Sequence, residues 1–169
     1  MKRNEVTFRW RASRVWPEGR KVRIQIDGCD LIALVHAWES DVAGKVGEAH
    51  LAGSYAGIPE WYTEDLAAWR RGSVEASALT YDGRVALLAC GDCGEIGCWP
   101  LLARLELSEE VVIWHDFEQP YRRPAEPDPL NVDPTACPGG WGYEGFGPFV
   151  FDRGAYEEQL RRLMATASG

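Results

Sequence analysis

Three cysteines lie within nine residues of a glycine-rich segment, Cys90-Gly91-Asp92-Cys93-Gly94-Glu95-Ile96-Gly97-Cys98. A thiolate is both a ligand for soft metal ions and a nucleophile toward disulfides. The spacing C-x2-C-x4-C suits a turn in which the sulfurs converge on one ion, and it predicts a metal site with zinc as the cofactor. A tetrahedral site needs a fourth ligand, for which the candidates are Cys137 and, as an alternative, His115.

Two other interpretations of the same cysteines stay open. Cys90 and Cys93 have the C-x-x-C spacing of thiol redox pairs, so a metal- or thiol-dependent enzyme centred on this turn is the alternative function. This turn follows a strand pattern, however, so no helix N-terminus stabilises a thiolate there, and Asp92 repels one. In the third interpretation the cysteines are small buried apolar residues that only fill space.

No other pattern of catalytic residues stands out. Hydrolase triads, P-loops and dinucleotide fingerprints are absent from the sequence, so no catalytic residue is assigned and the question of enzyme activity stays open. His115 and Asp116 are adjacent on a predicted strand, where successive side chains point to opposite faces. They are therefore not expected to act together.

Strand patterns surround the cysteine turn. Residues 74–81 and 85–90 flank Asp82-Gly83, a type I′ hairpin signal, and apolar residues alternate again over 101–108 and 111–117. Together these runs predict an antiparallel meander in which the cysteine turn joins two neighbouring strands.

The remaining segments give a coarser pattern. Alternation predicts two strands within residues 1–26 and a third at 31–35, residues 38–59 look irregular, and a helix is expected from Thr63 to Gly72. Asp152 is the expected N-cap of a C-terminal helix over 152–166. We therefore expect one α+β domain over 1–169, dominated by an antiparallel β-sheet meander with a C-terminal helix and a long wrapping loop.

That long loop, residues 118–151, is rich in proline and aromatic residues. Trp141, Phe149 and Phe151 are expected to be buried, because together they would form an aggregation-prone surface patch if exposed. The aromatic side chains Trp141, Tyr143 and Phe146 are also the candidates for a binding role of this loop.

Charge is distributed unevenly along the chain. Residues 1–23 carry eight Lys or Arg against two acidic residues, a net charge of +6, so the rest of this −8 chain has a net charge of −14. The basic arm is either a strand or hairpin lying on an acidic body, or a phosphate or nucleic-acid patch built from Arg9, Arg11 and Arg14. An acidic body repels nucleic acid and suits a basic protein partner.

The bulk composition is that of a globular protein, and no run approaches the roughly 20 apolar residues of a membrane span. The basic N-terminus lacks the apolar core of a signal peptide, so a cytoplasmic location without membrane attachment is expected. Cysteines are reduced in the cytosol, which favours metal or redox use over a disulfide framework. The predicted function is an interaction module with an acidic face and a structural or zinc-binding cysteine cluster.

Several segments carry a family resemblance: LAGSYAGIP at 51–59, CGEIGCWPL at 93–101, FEQP at 117–120, WGY at 141–143 and GPFVFDR at 147–153. They resemble a family of uncharacterised bacterial proteins, whose pattern has its first two cysteines as C-x-C where this chain has C-x-x-C. The resemblance implies relatedness and supplies no activity.

Overall fold

The computed structural model describes residues 2–14, 16, 18–72, 77–123 and 140–167. Its strands are β1 (Val6–Ala12), β2 (Arg20–Ile26), β3 (Cys29–Asp30), β4 (Tyr55–Gly57), β5 (Thr80–Tyr81), β6 (Arg84–Cys90), β7 (Leu101–Leu107), β8 (Val111–Glu118) and β9 (Phe149–Asp152). Its α-helices are α1 (Leu31–Lys45), α2 (Ala67–Arg71) and α3 (Arg153–Ala165). Short 3-10 turns lie at Ala49–Leu51, Glu60–Tyr62, Glu64–Leu66 and Pro120–Arg122.

The strands form two antiparallel sheets that meet at both edges. One sheet has the order β1-β2-β3, and the other has the order β4-β6-β7-β8-β9 with β5 paired to β6. On one side Lys21 of β2 bridges to Pro59, just after β4, and on the other side Asn4 bridges to Phe151 of β9. The expected α+β architecture, with its antiparallel meander, is therefore confirmed.

The meander has the predicted connections. Asp82 and Gly83 both have positive φ, 50° and 70°, which a type I′ turn requires between β5 and β6.

Strict alternation fails at Asp116, where φ is 50° and the β7–β8 register shifts. This bulge turns the Asp116 carboxylate to Arg104, the register partner of His115. The expectation that His115 and Asp116 face opposite sides is therefore wrong, although His115 approaches Glu106 instead of Asp116.

The strand predicted at 31–35 is wrong, because these residues begin α1. Asp30 caps this helix by accepting a hydrogen bond from the Ile32 N–H at 2.9 Å. A short apolar run fits a buried strand and a buried helix equally well, and here the cap decides in favour of the helix. The helix continues to Lys45 through a region that looks irregular in the sequence.

The 118–151 segment is less irregular than predicted. Strand β8 extends to Glu118, and Phe149–Asp152 forms β9 against Val111–Trp114. Trp141 and Phe151 are 2% and 1% exposed, as expected, while Phe149 is half-buried. Residues 124–139 lie outside the described part of the chain.

An aromatic core joins the two sheets to the helices. The Phe8 ring of β1 lies 5.4 Å from Trp69 and 5.5 Å from Tyr156, while Trp114 lies 5.0 Å from Phe151. Tyr156 belongs to α3, whose N-cap is Asp152 as predicted. The Trp69 indole donates a hydrogen bond to the Ala86 carbonyl at 2.9 Å, which ties α2 to β6. The short α2 stops at its C-cap Gly72, as expected, but it begins at Ala67 and not at Thr63, because Glu64–Leu66 form a 3-10 turn and the Thr63 side chain caps neither.

None of the helices in the described residues is both long and apolar enough to cross a membrane.

Candidate metal centre

The turn between β6 and β7 brings the three cysteine sulfurs together. The Sγ atoms of Cys90, Cys93 and Cys98 all lie within 4.8 Å of one another. Sulfurs bound to zinc at 2.3 Å in a tetrahedron are about 3.8 Å apart, so the present spacing is within about 1 Å of a ligating arrangement. The cysteine turn therefore has the geometry to hold a metal ion with three ligands from one short segment.

Backbone contacts fold the turn into this shape. Cys90 is the last residue of β6, and the Gly94 N–H returns to its carbonyl at 2.9 Å. Gly94 has a φ of 72°, a conformation in which a side chain is strained. Gly91 donates to the Ser54 carbonyl at 3.0 Å, and a Cβ there would crowd the Ser54 backbone. The glycines thus allow two tight turns between the first and last cysteine, one closed by the Gly94 N–H on Cys90 and one by the Cys98 N–H on Glu95.

The electrostatic environment of the turn distinguishes Cys90 from Cys98. Burial opposes ionisation of Cys90, but hydrogen bonds from the backbone N–H groups of Cys93 and Asp92, and from the two neighbouring thiols, outweigh it and lower the pKa of Cys90. Hydrogen bonding to Cys93 and Cys90 raises the pKa of Cys98 to about 12. Without a cation, the neighbouring groups therefore stabilise the Cys90 thiolate and oppose formation of a second thiolate at Cys98.

Backbone N–H donors aimed at a sulfur favour metal binding as well as ionisation. Metal ligands must be deprotonated, and groups that donate to a ligating atom fix its orientation. Cys90 is buried, at 5% exposure, whereas Cys93 and Cys98 are exposed. An ion held by the three sulfurs would be supported from the protein side and reachable from solvent.

One side of the cysteine turn is covered by Trp16 from the β1–β2 connection. A Cβ placed on Gly94 would fall on the Trp16 indole ring, so that ring lies directly against the turn. Trp16 in turn meets Trp61 edge-on at 4.7 Å. The Tyr62 hydroxyl donates to Glu95 at 3.1 Å.

The C-terminal end of the turn is followed by Trp99, which packs against further aromatic residues. Trp99 stacks on Tyr121, with ring centroids 6.3 Å apart, and meets Trp141 edge-on at 5.7 Å. The Arg122 guanidinium lies 5.0 Å from the Trp99 ring centroid, and the Tyr121 hydroxyl donates to the Gly97 carbonyl. Aromatic residues from distant segments therefore contact the turn at Gly94 and at its C-terminal end.

The structure does not bring His115 into the cysteine group. Among the described residues that group consists of the three cysteines, and His115 Nε2 lies 3.0 Å from Glu106 Oε1 instead. Cys137 lies outside the described residues, so its place as a fourth ligand stays a prediction. Cys29 is exposed on β3 and does not belong to the group.

The predicted aromatic binding residues are largely buried. Trp141, Tyr143 and Phe146 are all buried. They line a cavity of about 390 Å³ together with Phe117 and Pro148. They belong to the core and not to an open aromatic surface, and a binding role for them stays a prediction confined to that cavity.

Arg9 and Arg11 are exposed on β1, as a binding role requires. Their register partners on β2 are Arg23 and Lys21, so the four cations share the outer face of the hairpin. The alternating pattern of both strands already indicates this shared face, because the register of a hairpin pairs residues whose side chains lie on the same face.

Sequence reasoning missed the buried carboxylate of Glu39 on α1. Glu39 accepts hydrogen bonds from the Tyr55 hydroxyl at 2.6 Å, the Tyr143 hydroxyl at 2.5 Å and the Gly53 N–H at 2.8 Å. Burial raises its pKa, and these three hydrogen bonds oppose that effect. No local signal marks this residue, since its partners lie 14 to 104 positions away.

Comparison with protein-family models, with curated proteins and with solved structures gives no match to this chain. The geometry of the cysteine turn is therefore the basis for assigning a function. Relatedness to the uncharacterised bacterial family stays a prediction from the segments quoted above.

Proposed function

We propose that this protein is a binding module whose cysteine turn holds a structural zinc ion. The convergence of three sulfurs, each within 4.8 Å of the other two, carries the proposal. Thiolates prefer zinc and other soft ions over the hard cations that oxygen ligands select. Zinc has no redox chemistry of its own, which suits a structural site beside the aromatic contacts of this turn.

The ion's role in the fold follows from what the turn touches. The turn joins β6 to β7 and contacts Trp16, so cross-linking Cys90 to Cys98 would fix a strand connection and the β1–β2 connection together. The metal would link two ligands that are eight positions apart. Because the unfolded chain does not preform the site, the free energy of metal binding would stabilise the folded state. A fourth ligand from Cys137 would close the site, whereas a solvent molecule would leave it open.

The test is the metal content of reduced protein prepared with and without zinc. Wild type is expected to retain one zinc per chain after gel filtration, and Cys93→Ser and Cys98→Ser should lose it. Both sulfurs are exposed, so these substitutions leave the core intact. Cys29→Ser is the matched control, because that exposed cysteine lies on β3 away from the group and its removal should leave zinc content unchanged.

Zinc retained equally by Cys98→Ser and wild type would contradict the proposal. Cys137→Ser in the same series tests the fourth ligand: a weaker but still measurable affinity supports Cys137, and an unchanged affinity assigns that position to solvent.

Thiol redox chemistry is the second candidate, favoured by the same proximity. Sulfurs within 4.8 Å need only a small movement to form a disulfide. Cys90 ends a strand and is followed by a turn, so no helix dipole supports its thiolate. A protein that binds no zinc and forms a reversible disulfide with a glutathione buffer would favour this candidate.

A further inference from the structure

The outer face of the β1–β2 hairpin borders a groove with a concentration of positive charge. A cavity of about 300 Å³ is lined by Arg11, Arg14, Lys21 and Arg23. Arg11 and Lys21 are direct register partners, and Arg23 lies two positions further along β2. In a chain with a net charge of −8, four cations around one cavity are a local reversal of sign.

Most of this charge is uncompensated. Arg23 is paired with Asp30, whose carboxylate lies 2.7 Å from its Nε and also caps α1. The side chains of Arg11, Arg14 and Lys21 have no ion pair or hydrogen bond with any residue in the described part of the chain. Elsewhere in the arm, Arg3 and Arg20 are paired with acidic residues. Arg9 lies on the same hairpin face outside the cavity lining and has no ion pair with the described residues, so the unpaired cations extend along this face and three of them line the groove.

The groove also has walls that a flat basic patch lacks. Its other lining residues include Ile32 at the start of α1, Gly57 of β4 and Leu88 of β6. Asp30 also lines the cavity, and its carboxylate is paired with Arg23, so the remaining three cations give the lining a net positive charge. A Cβ on Gly57 would collide with the Val22 carbonyl, so the edge of β4 lies directly against β2. Concave sites of this size, with a few charged groups converging on an otherwise apolar lining, are typical of small-ligand sites.

We propose that this groove binds a small ligand bearing two or more phosphate groups. Guanidinium groups match phosphate oxygens in a bidentate geometry, and lysine adds a mobile positive charge. Three unpaired cations suit a polyphosphate better than a single carboxylate, which one arginine would satisfy. The groove shares no lining residue with the cysteine turn, and the phosphate proposal does not rest on the proposed zinc ion.

A nucleic acid strand fits these observations less well. A single strand needs aromatic platforms for its bases as well as a basic track. Trp10 instead donates its indole N–H to the Leu163 carbonyl at 2.9 Å, and Trp16 is held between Gly94 and Trp61. Beyond residues 1–23 the chain carries a net charge of −14, so a longer strand would be repelled on leaving the groove.

The test is calorimetric titration of the full chain with inorganic tripolyphosphate at about 0.15 M salt. Wild type should bind one equivalent, and Arg11→Gln and Lys21→Gln should each weaken binding by at least about tenfold, since a charged hydrogen bond is lost. Arg9→Gln is the matched control: it removes the same charge from the same strand face, outside the cavity lining. Its effect should be clearly smaller than that of Arg11→Gln, because it removes only a partly screened attraction and no hydrogen bond to the phosphate.

Three results would overturn the proposal. One is the absence of tripolyphosphate binding to folded wild type, with folding confirmed by circular dichroism. Another is a loss of affinity in Arg9→Gln equal to that in Arg11→Gln, which would indicate a diffuse basic surface. The third is tighter binding of a single-stranded DNA oligonucleotide with a steep salt dependence, which would make the hairpin face a nucleic-acid surface.

Discussion

The cysteine turn brings three potential ligands together within nine residues, whereas the cluster around Glu39 joins side chains from α1, β4 and the segment after residue 140. In the first, the backbone of one short segment does the positioning. In the second, Tyr55 and Tyr143 reach one carboxylate from 16 and 104 positions away.

The two regions differ in what they need to be stable. Every hydrogen-bonding group of the Glu39 cluster finds its partner inside the protein, so the cluster contributes to folding without any added component. In the cysteine turn, hydrogen bonds from neighbouring groups lower the pKa of Cys90, whereas the same neighbours oppose ionisation of Cys98, and a cation relieves that opposition. The first region should therefore respond most to mutation and the second to metal supply.

Removing the Glu39 carboxylate should have the largest effect. Glu39→Ala leaves two tyrosine hydroxyls and the Gly53 N–H without their acceptor in the core, which should lower the free energy of unfolding by about 3 to 5 kcal/mol. Glu109→Ala, at an exposed position, is the control and should change it by less than about 0.5 kcal/mol. Urea denaturation measures both, and equal effects would refute the assigned role.

The raised pKa of Glu39 makes the stability of the native state depend on pH. Between the ordinary glutamate pKa and the raised one, the native state keeps a proton that the unfolded chain has lost, so stability should fall as pH rises through this interval. Glu39→Gln does not titrate and should lose this decline. Unfolding curves at several pH values compare the two proteins, and parallel pH profiles would contradict the prediction.

Zinc removal should have the next largest effect. At free zinc a thousandfold above the dissociation constant, binding stabilises the native state by about 4 kcal/mol. Thermal unfolding with zinc or with a chelator should therefore differ strongly for wild type and hardly at all for Cys93→Ser. Coincident wild-type curves under the two conditions would show that the turn, like the Glu39 cluster, is stable by itself.

A glycine substitution separates the shape of the turn from its ligands. Gly94→Ala adds a Cβ where the Trp16 indole lies and puts a side chain at a φ of 72°, so it should destabilise the protein by about 2 kcal/mol and weaken zinc binding. Gly97→Ala is the matched control in the same turn, because a Cβ there meets nothing within 4 Å. Tryptophan fluorescence should change only for the first variant, and a Gly97→Ala effect of equal size would argue against the Trp16 contact.

The same contrast explains which features the sequence could predict. The meander, the Asp82-Gly83 hairpin, the cysteine turn and the Asp152 cap all rest on signals that span fewer than about ten residues. Strand β9 and the Glu39 cluster depend on pairings with distant segments. Phe149 of β9 pairs with Trp114 of β8, and the Tyr143 hydroxyl donates a hydrogen bond to the Glu39 carboxylate on α1. Period and composition carry no information about such partners.

The error at residues 31–35 has a different cause. Five apolar residues in a row satisfy a buried strand and a buried helix alike, and the Asp30 cap that distinguishes them follows a tight-turn signal typical of hairpins. The bulge at Asp116 is a third case: two polar residues, His115 and Asp116, stand together between the buried Trp114 and Phe117, and this single break in the alternation is the local sign that both face outward.

Asp116 is the exposed counterpart of Glu39 and should show the smallest effect. Its carboxylate lies 2.8 Å from Arg104 Nε and 2.7 Å from an Arg84 nitrogen; partial burial opposes ionisation, but these two arginines outweigh it and hold the pKa of Asp116 below its ordinary value. Asp116→Asn keeps a residue that tolerates the positive φ of 50° and removes only the charge. Because the side chain is nearly half exposed and screened by solvent, the cost at neutral pH should be below about 1 kcal/mol.

The stability difference between wild type and Asp116→Asn should depend on pH in a direction that follows from the lowered pKa of Asp116. A depressed pKa stabilises the native state above the ordinary aspartate pKa, and this stabilisation is lost as pH falls through the lower native value. The stabilities of wild type and Asp116→Asn should therefore converge below about pH 4, and added salt should narrow the gap at neutral pH. Glu39→Gln should differ with the opposite sign, because wild type loses stability relative to this variant as pH rises above the ordinary glutamate pKa, whereas wild type gains stability relative to Asp116→Asn as pH rises to the ordinary aspartate pKa. If wild type gained stability relative to both variants as pH rises, the distinction between a desolvated and an ion-paired carboxylate would fail.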